Sequence, residues 1–224
     1  MHEHATHGDP RKTTEVVAPA VVAAGWRTCR RLLLARHGAA EGNDRGIRLG
    51  FDEPLLPAGE EQARALAGQV QELGVTEIWS SPSPRAWRTA TIVADRLALP
   101  VHPDLDLREI EEGPWVGMTE QEIARAFPRE HAAWQRDPGS VELPGREGLR
   151  RARRRVAAVL DRLLDRPGTV LAVTHSGPIR LAWVHFNGLP LDSFGVLQPS
   201  NCGLFCLRGV EPDWELSELD GDAN

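Results

Sequence analysis

Lysine is almost absent from this sequence. Lys12 is the only one, and arginine supplies the rest of the basic charge. That bias fits GC-rich coding and carries no functional reading. Tyrosine is missing altogether, which excludes nothing. A surplus of basic charge is missing too: 26 Lys and Arg face 32 Asp and Glu, for a formal net charge of -6. General nucleic-acid binding needs a basic footprint and is excluded. No apolar run approaches the ~18 residues of a membrane-spanning helix, so no membrane partner is expected. Cysteine is scarce. Cys29, Cys202 and Cys206 are too few and too scattered for a disulfide framework and lack C-x-x-C zinc spacing. Their odd number suits a reducing compartment, so a cytoplasmic location is expected.

What is present suffices for one full core with a small satellite: 224 residues, 41% hydrophobic and 26% charged. Residues 1–28 differ from the rest. Met1 to Glu15 is polar and carries His2, His4 and His7, a combination that binds metal in some chains but reads on composition as a disordered tail. Val16 to Trp26 is mildly apolar and follows Arg11 and Lys12. A signal peptide shows that order, but Pro19 interrupts the run and Glu15 sits at its edge. The expected organisation is an N-terminal arm or disordered tail over 1–28, one domain over 29–219 and a short tail over 220–224.

From Arg30 onward, short apolar runs alternate with helical periods. Leu32–Ala35, Glu77–Trp79 and Thr169–Thr174 read as strands, with Val101 starting an edge strand. Ala58–Leu73, Pro84–Leu97 and Leu149–Leu164 carry apolar stripes at helical spacing. Pro178–Phe186 reads as a further helix. Residues 111–146 read as irregular, apart from a short helix over Thr119–Phe127 with Thr119 and Glu122 in capping-box spacing. Leu204–Leu207 and Trp214–Leu219 are candidates to close the sheet. The arginines at 150, 151, 153, 154 and 155 fall mostly opposite the apolar stripe of their helix, so they read as a solvated face. Alternating strands and helices predict an α/β three-layer sandwich with a mostly parallel central sheet. In such sheets ligands bind beyond the carboxyl ends of the strands.

Two motifs fall at those ends. The first is Leu34-Ala35-Arg36-His37-Gly38, followed by Asn43. The second is Thr174-His175-Ser176-Gly177-Pro178. Arg36 offers a planar fork of donors suited to phosphate oxygens. Pro178 suits the start of the next helix, whose N-terminus, just beyond Ser176, would offer unpaired backbone donors to an anion. One histidine at a strand end is usually an ordinary hydrogen-bonded residue. Two at equivalent ends, one flanked by arginine, are harder to dismiss.

These motifs resemble those of the histidine phosphatase superfamily, in the branch that includes the cofactor-dependent phosphoglycerate mutases. The family's R-H-G-x-T-x-x-N segment is matched by Arg36 to Asn43. Its L-T-x-x-G-x-x-Q-A segment is matched by Leu55 to Ala63, and S-S-x-x-x-R-A-x-x-T-A by Ser80 to Ala90. L-x-E-x-x-x-G-x-W-x-G is matched by Leu107 to Gly117, and the late strand-His-x-Gly segment by Val173 to Gly177. All five blocks keep the family's order across about residues 31–207. The departures are Ala40 and Leu56 where the family has threonine, Ser176 where glycine is common, and Gly145-Arg146-Glu147-Gly148 in place of G-G-E-S.

The resemblance implies a phosphoglycerate mutase-like fold and phosphoryl transfer without metal or cofactor. Arg36, Arg85 and His175 would cage the phosphoryl group, with Asn43 as a neutral donor. His37 would attack phosphorus, and Glu109 would protonate the leaving alkoxide. Glu111 and Glu112 are alternatives to Glu109, and Arg88 competes with Arg85 from one helical turn away. Trp115, Phe127 and Trp134 either wall the site or pack a core. The expected activity is hydrolysis of a small phosphorylated metabolite. A mutase returning the phosphoryl group to its substrate and a non-catalytic phospholigand binder are the alternatives. Oligomeric state is left open, with a homo-oligomer possible.

Overall fold

The structure is a computed structural model that describes residues 31–210 and 213–219. The readings made for 1–28, including the three histidines, and for 220–224 lie outside the described residues.

Six strands form one sheet. In chain order they are β1 (Arg31–Arg36), β2 (Glu77–Ser80), β3 (Val101–Pro103), β4 (Thr169–Thr174), β5 (Leu204–Val210) and β6 (Asp213–Glu218), arranged β3-β2-β4-β1-β5-β6. The first four neighbours run parallel. β5 and β6 add antiparallel partners at the β1 side. The sheet is therefore mixed, with its parallel part at the site.

β1 alternates faces residue by residue. Leu32 and Leu34 pack with helices α5 (Leu149–Leu164) and α6 (Ser176–Phe186) on one side. Leu33 and Ala35 pack with α1 (Pro57–Glu72) and α2 (Pro84–Leu97) on the other. A strand covered on both faces must be apolar throughout, which is why β1 and β4 read as unbroken hydrophobic runs.

The predicted elements are found with small shifts. α6 starts at Ser176 rather than Pro178, with His175 at its N-cap. A proline in the first turn removes no intrahelical donor, so the helix can begin ahead of it. The short helix α3 (Glu120–Ala126) carries the capping box expected of Thr119 and Glu122. The stretch expected to be otherwise irregular holds a further helix, α4 (Pro128–Arg136). None of its residues is fully buried, so it shows no apolar stripe by which periodicity would find it. Trp115 is completely buried in a satellite core with Ile123 and Val141, and Phe127 and Trp134 pack against it.

One expectation fails. Arg155 does not belong to a solvated face. It forms a two-pronged ion pair with Glu147, 2.6 and 2.9 Å, and donates to the carbonyls of Asp106 and Arg108. This arginine ties α5 to the segment that carries Glu109.

Candidate active site

The sheet places the two histidines side by side. Arg36 and Thr174 are register partners, so the residues that follow them, His37 and His175, leave neighbouring parallel strands together. The His37 N–H donates to the Thr174 carbonyl at 3.0 Å, extending the ladder by one step. The imidazole centroids are 5.1 Å apart. Beyond this point the chain from β1 leads to α1 on one face and the chain from β4 to α6 on the other, which opens a cleft of about 360 Å³.

The backbone sets the state of His37. Its Nδ1 lies 2.7 Å from the Gly38 carbonyl oxygen, which can only accept. Nδ1 therefore carries the proton, and Nε2 presents a lone pair. Arg85 Nε donates to that lone pair at 3.2 Å. Burial first, then the charges of Arg85 and Arg36, push the His37 pKa well below its ordinary range. The ring is neutral at pH 7.

Gly38 allows this turn. A Cβ there would run into the Gly59 carbonyl, and a Cβ on Gly59 would strike the backbone of Ala39. The two glycines let α1 press directly on the loop after β1. The Gly38 N–H is held by Thr89 Oγ1 at 3.1 Å, from α2.

His175 is fully buried. Its Nε2 meets Ser81 Oγ at 2.9 Å and Ser83 Oγ at 3.2 Å. Its Nδ1 is buried without a partner. Burial, followed by Arg85 and His37, pushes its pKa well down as well.

Arg85 is 1% exposed. It also donates to the Gly50 carbonyl at 2.9 Å and lies 3.5 Å from Glu53. Arg88 instead lies on the surface against Glu60, so of the two arginines only Arg85 reaches the histidines. Arg36 donates to the Pro199 carbonyl at 2.7 Å, and its Nε is buried and unpartnered. Asn43 spends its carbonyl on the Ala40 N–H and on Asn201. Its amide nitrogen is left as the donor. Ser176 lines the cleft at the first position of α6.

Among the three acidic candidates, Glu109 differs from its neighbours. Glu111 is surface-exposed near Arg108. Glu112 is paired with Arg48 and Arg146. Glu109 lines the cleft and, among the described residues, accepts from backbone alone, Ile110 N–H at 2.8 Å and Gly177 N–H at 3.3 Å. Burial outweighs those bonds and the pull of Arg85, and holds its carboxyl above the ordinary range. A carboxyl that keeps its proton longer is suited to give one up.

Sequence reasoning missed the two serines that hold His175, although Ser81 and Ser83 lie inside a matched block. It also missed Arg180, which lines the cleft one turn into α6. Its signal was faint: an arginine on an otherwise apolar helix, three residues past Gly177. Among the described residues, no group of three or more His, Cys, Asp or Glu is arranged to hold a metal ion. No helix among them is long and apolar enough to cross a membrane.

Comparison with known proteins places this geometry. Phosphoserine phosphatase 1 of Hydrogenobacter thermophilus is 32% identical over 167 residues, 73% of this chain and 79% of that protein. A bifunctional protein of Mycobacterium tuberculosis is 36% identical over 185 residues; the match covers 79% of this chain and 50% of that longer protein. Among solved structures, a mycobacterial glucosyl-3-phosphoglycerate phosphatase complexed with VO3 superposes with a TM-score of 0.74 at 27% identity, covering 85% of this chain and 97% of the other. The model of the histidine phosphatase superfamily, branch 1, matches residues 32–220, and the chain belongs to that superfamily.

Proposed function

We propose that this chain is a metal-independent phosphomonoesterase. It hydrolyses a small phosphorylated metabolite through a phosphohistidine on His37. The observation that carries the reading is the fixed tautomer of His37: a neutral ring with its Nε2 lone pair turned toward Arg85 and the cleft. The relatives named as phosphatases support the same class of reaction.

A phosphate monoester near neutral pH carries close to two negative charges. Its transition state spreads that charge over three equatorial oxygens. Arg36, Arg85 and the Asn43 amide supply donors to those oxygens, joined by His175 Nδ1 in the tautomer whose Nε2 accepts from Ser81 or Ser83. Each is worth about 2–4 kcal/mol, by analogy with removal of an oxyanion-hole donor. The arriving phosphorus takes the Nε2 lone pair, and Arg85 passes from the nitrogen to an oxygen. As the P–N bond forms and the P–O bond breaks, Glu109 gives its proton to the leaving alkoxide. The Glu109 carboxylate then takes a proton from water. That water attacks phosphorus, breaks the P–N bond and releases inorganic phosphate.

Trp115, Phe127 and Trp134 pack the satellite core, so the leaving group is selected by other residues. The odd, scattered cysteines of the sequence support a reducing, cytoplasmic setting. The test is phosphate release from a panel of phosphorylated metabolites, with and without chelator, joined to rapid-quench labelling. Chelator-resistant release with an acid-labile label on His37 is expected. Strict metal dependence, or turnover without that label, overturns the reading. Isomerisation of 3-phosphoglycerate without phosphate release would mark a mutase.

A further inference from the structure

Resting on the phosphomonoesterase reading, we infer that Arg180 selects the substrate by binding a carboxylate on its alcohol portion. The preferred substrate class is then a phosphorylated hydroxy acid or amino acid.

The inference follows from how the cations of the cleft are used. Arg36 and Arg85 flank the histidines and belong to the phosphate cage. Arg48 is taken by Glu112 and Glu120, at 3.4 and 3.0 Å. Arg180, which stands outside the cage, shares the unpaired state of Arg36. Among the described residues it has no carboxylate at ion-pair distance, and its Nε is buried with no partner at all. A guanidinium in that state has lost water and gained nothing for that donor, which a native fold tolerates where a ligand supplies the missing acceptor.

The group is also held in place. Its Nη2 donates to Gln198 Oε1, and Gln198 is itself fixed by a 2.7 Å bond to the Gly195 carbonyl. The Phe194 ring lies 5.5 Å from the guanidinium carbon. Phe194, Gln198 and Arg180 all line the same cleft as His37 and Glu109. Arg180 stands on α6, three residues past Gly177, whose N–H holds Glu109. An anion bound there lies on the side of the proton donor, where the leaving group must sit.

Charge matching favours a carboxylate. Outside the cage, one uncommitted guanidinium on the described lining meets a group of one negative charge. A second phosphoryl group would bring nearly two. A guanidinium edge also takes a carboxylate through two parallel N–H bonds, which a hydroxyl cannot reproduce.

The experiment compares matched phosphate esters: 3-phosphoglycerate against glycerol 3-phosphate, and phosphoserine against phosphoethanolamine. For the wild type, kcat/KM is expected to favour the carboxylated member of each pair at least ~10-fold. In Arg180→Met the ratio is expected to fall to within about threefold of unity, and Arg180→Lys is expected to keep part of it. The readout is a ratio, so a general loss of activity in a variant cancels. A wild type that hydrolyses p-nitrophenyl phosphate but shows no preference within the pairs overturns the inference. So does a preference that survives in Arg180→Met, or an equal Arg180 dependence for 1,3-propanediol bisphosphate, which would assign a second phosphate. A wild type inactive on every phosphomonoester overturns the phosphatase reading instead.

Discussion

Arg85 Nε donates to Nε2 of His37 at 3.2 Å from a position almost wholly shielded from water. Burial first, and then this adjacent cation, oppose protonation of the imidazole, so the contact both helps keep the nucleophile neutral and stations a donor beside the atom that receives phosphorus. Lysine cannot do both, because its single point charge lacks the fork that reaches Gly50 and His37 together. Arg85→Lys is expected to lower kcat by about 10²–10³. Arg88→Ala, one turn away on the surface against Glu60, is expected to stay within about twofold. Steady-state kinetics on one phosphate ester decides between them.

Glu109 predicts a leaving-group effect. Its raised carboxyl pKa makes the protonated form available to an alkoxide. Glu109→Gln is expected to cost about 10²–10⁴ in kcat/KM with an alkyl phosphate. The loss with p-nitrophenyl phosphate is expected to be much smaller, since nitrophenolate departs without a proton. The same raised pKa sets a sign for stability. The folded state holds a proton that the unfolded chain releases near pH 4.3. That advantage is complete below the unfolded value and lost as pH rises through the folded one. Relative to wild type, the Tm of Glu109→Gln should therefore rise with pH across that window.

The two histidines act at the other end of the scale. Both are held well below 6.5, chiefly by burial, with Arg85 the next cause for each. As pH falls below about 6.5, the unfolded chain binds protons on these rings that the folded protein refuses. Stability should drop in that range. In His175→Asn the drop between pH 7 and pH 5 is expected to be shallower than in wild type, measured as Tm against pH.

Arg155 and Glu147 form the most enclosed ion pair on the α5 side, with side chains 8% and 3% exposed. Among the described residues, Arg155→Met would leave the buried Glu147 carboxylate with Arg108, 3.7 Å away, as its one cation at ion-pair distance. A destabilisation of about 3 kcal/mol is expected, the lower end of the range for breaking a buried pair. Urea unfolding at pH 7 measures it. Converting both residues to apolar ones should cost less than the single change.

α1 opens without a side-chain cap. Leu56 occupies the N-cap position in extended conformation, half exposed, and no side chain accepts from the first turn. Leu56→Thr is expected to stabilise the protein by about 1 kcal/mol, read as a shift in urea midpoint at constant slope. Activity should be unchanged, because Leu56 does not line the cleft.

The sequence was most readable where physics is local. The buried strands, α2, α5 and the Thr119 capping box follow from periodicity and cap chemistry within a few residues. His37 and His175 stood out because each ends an apolar run. Other features depend on contacts between distant segments. Gly59 reads as a permissive residue in a helix until Ala39 is seen against it. Arg155 shares a helix with five other arginines and is separated from them only by what α5 packs against. Arg180 became conspicuous only once Gln198 and Phe194, from a later turn, closed around it. α4 buries no residue fully, so no apolar stripe announced it.

The strand made fourth, β4, lies between the first and second, which do not touch each other. A nascent chain that ends before Thr169 therefore holds β1 apart from the β2–β3 pair, with no strand to join them. Insertion of β4 joins β1 to β2 and delivers His175 in the same event. During refolding, catalytic turnover is expected to return no earlier than the central hydrogen-bond ladder, and a chain cut short of residue 169 loses the scaffold together with the chemistry.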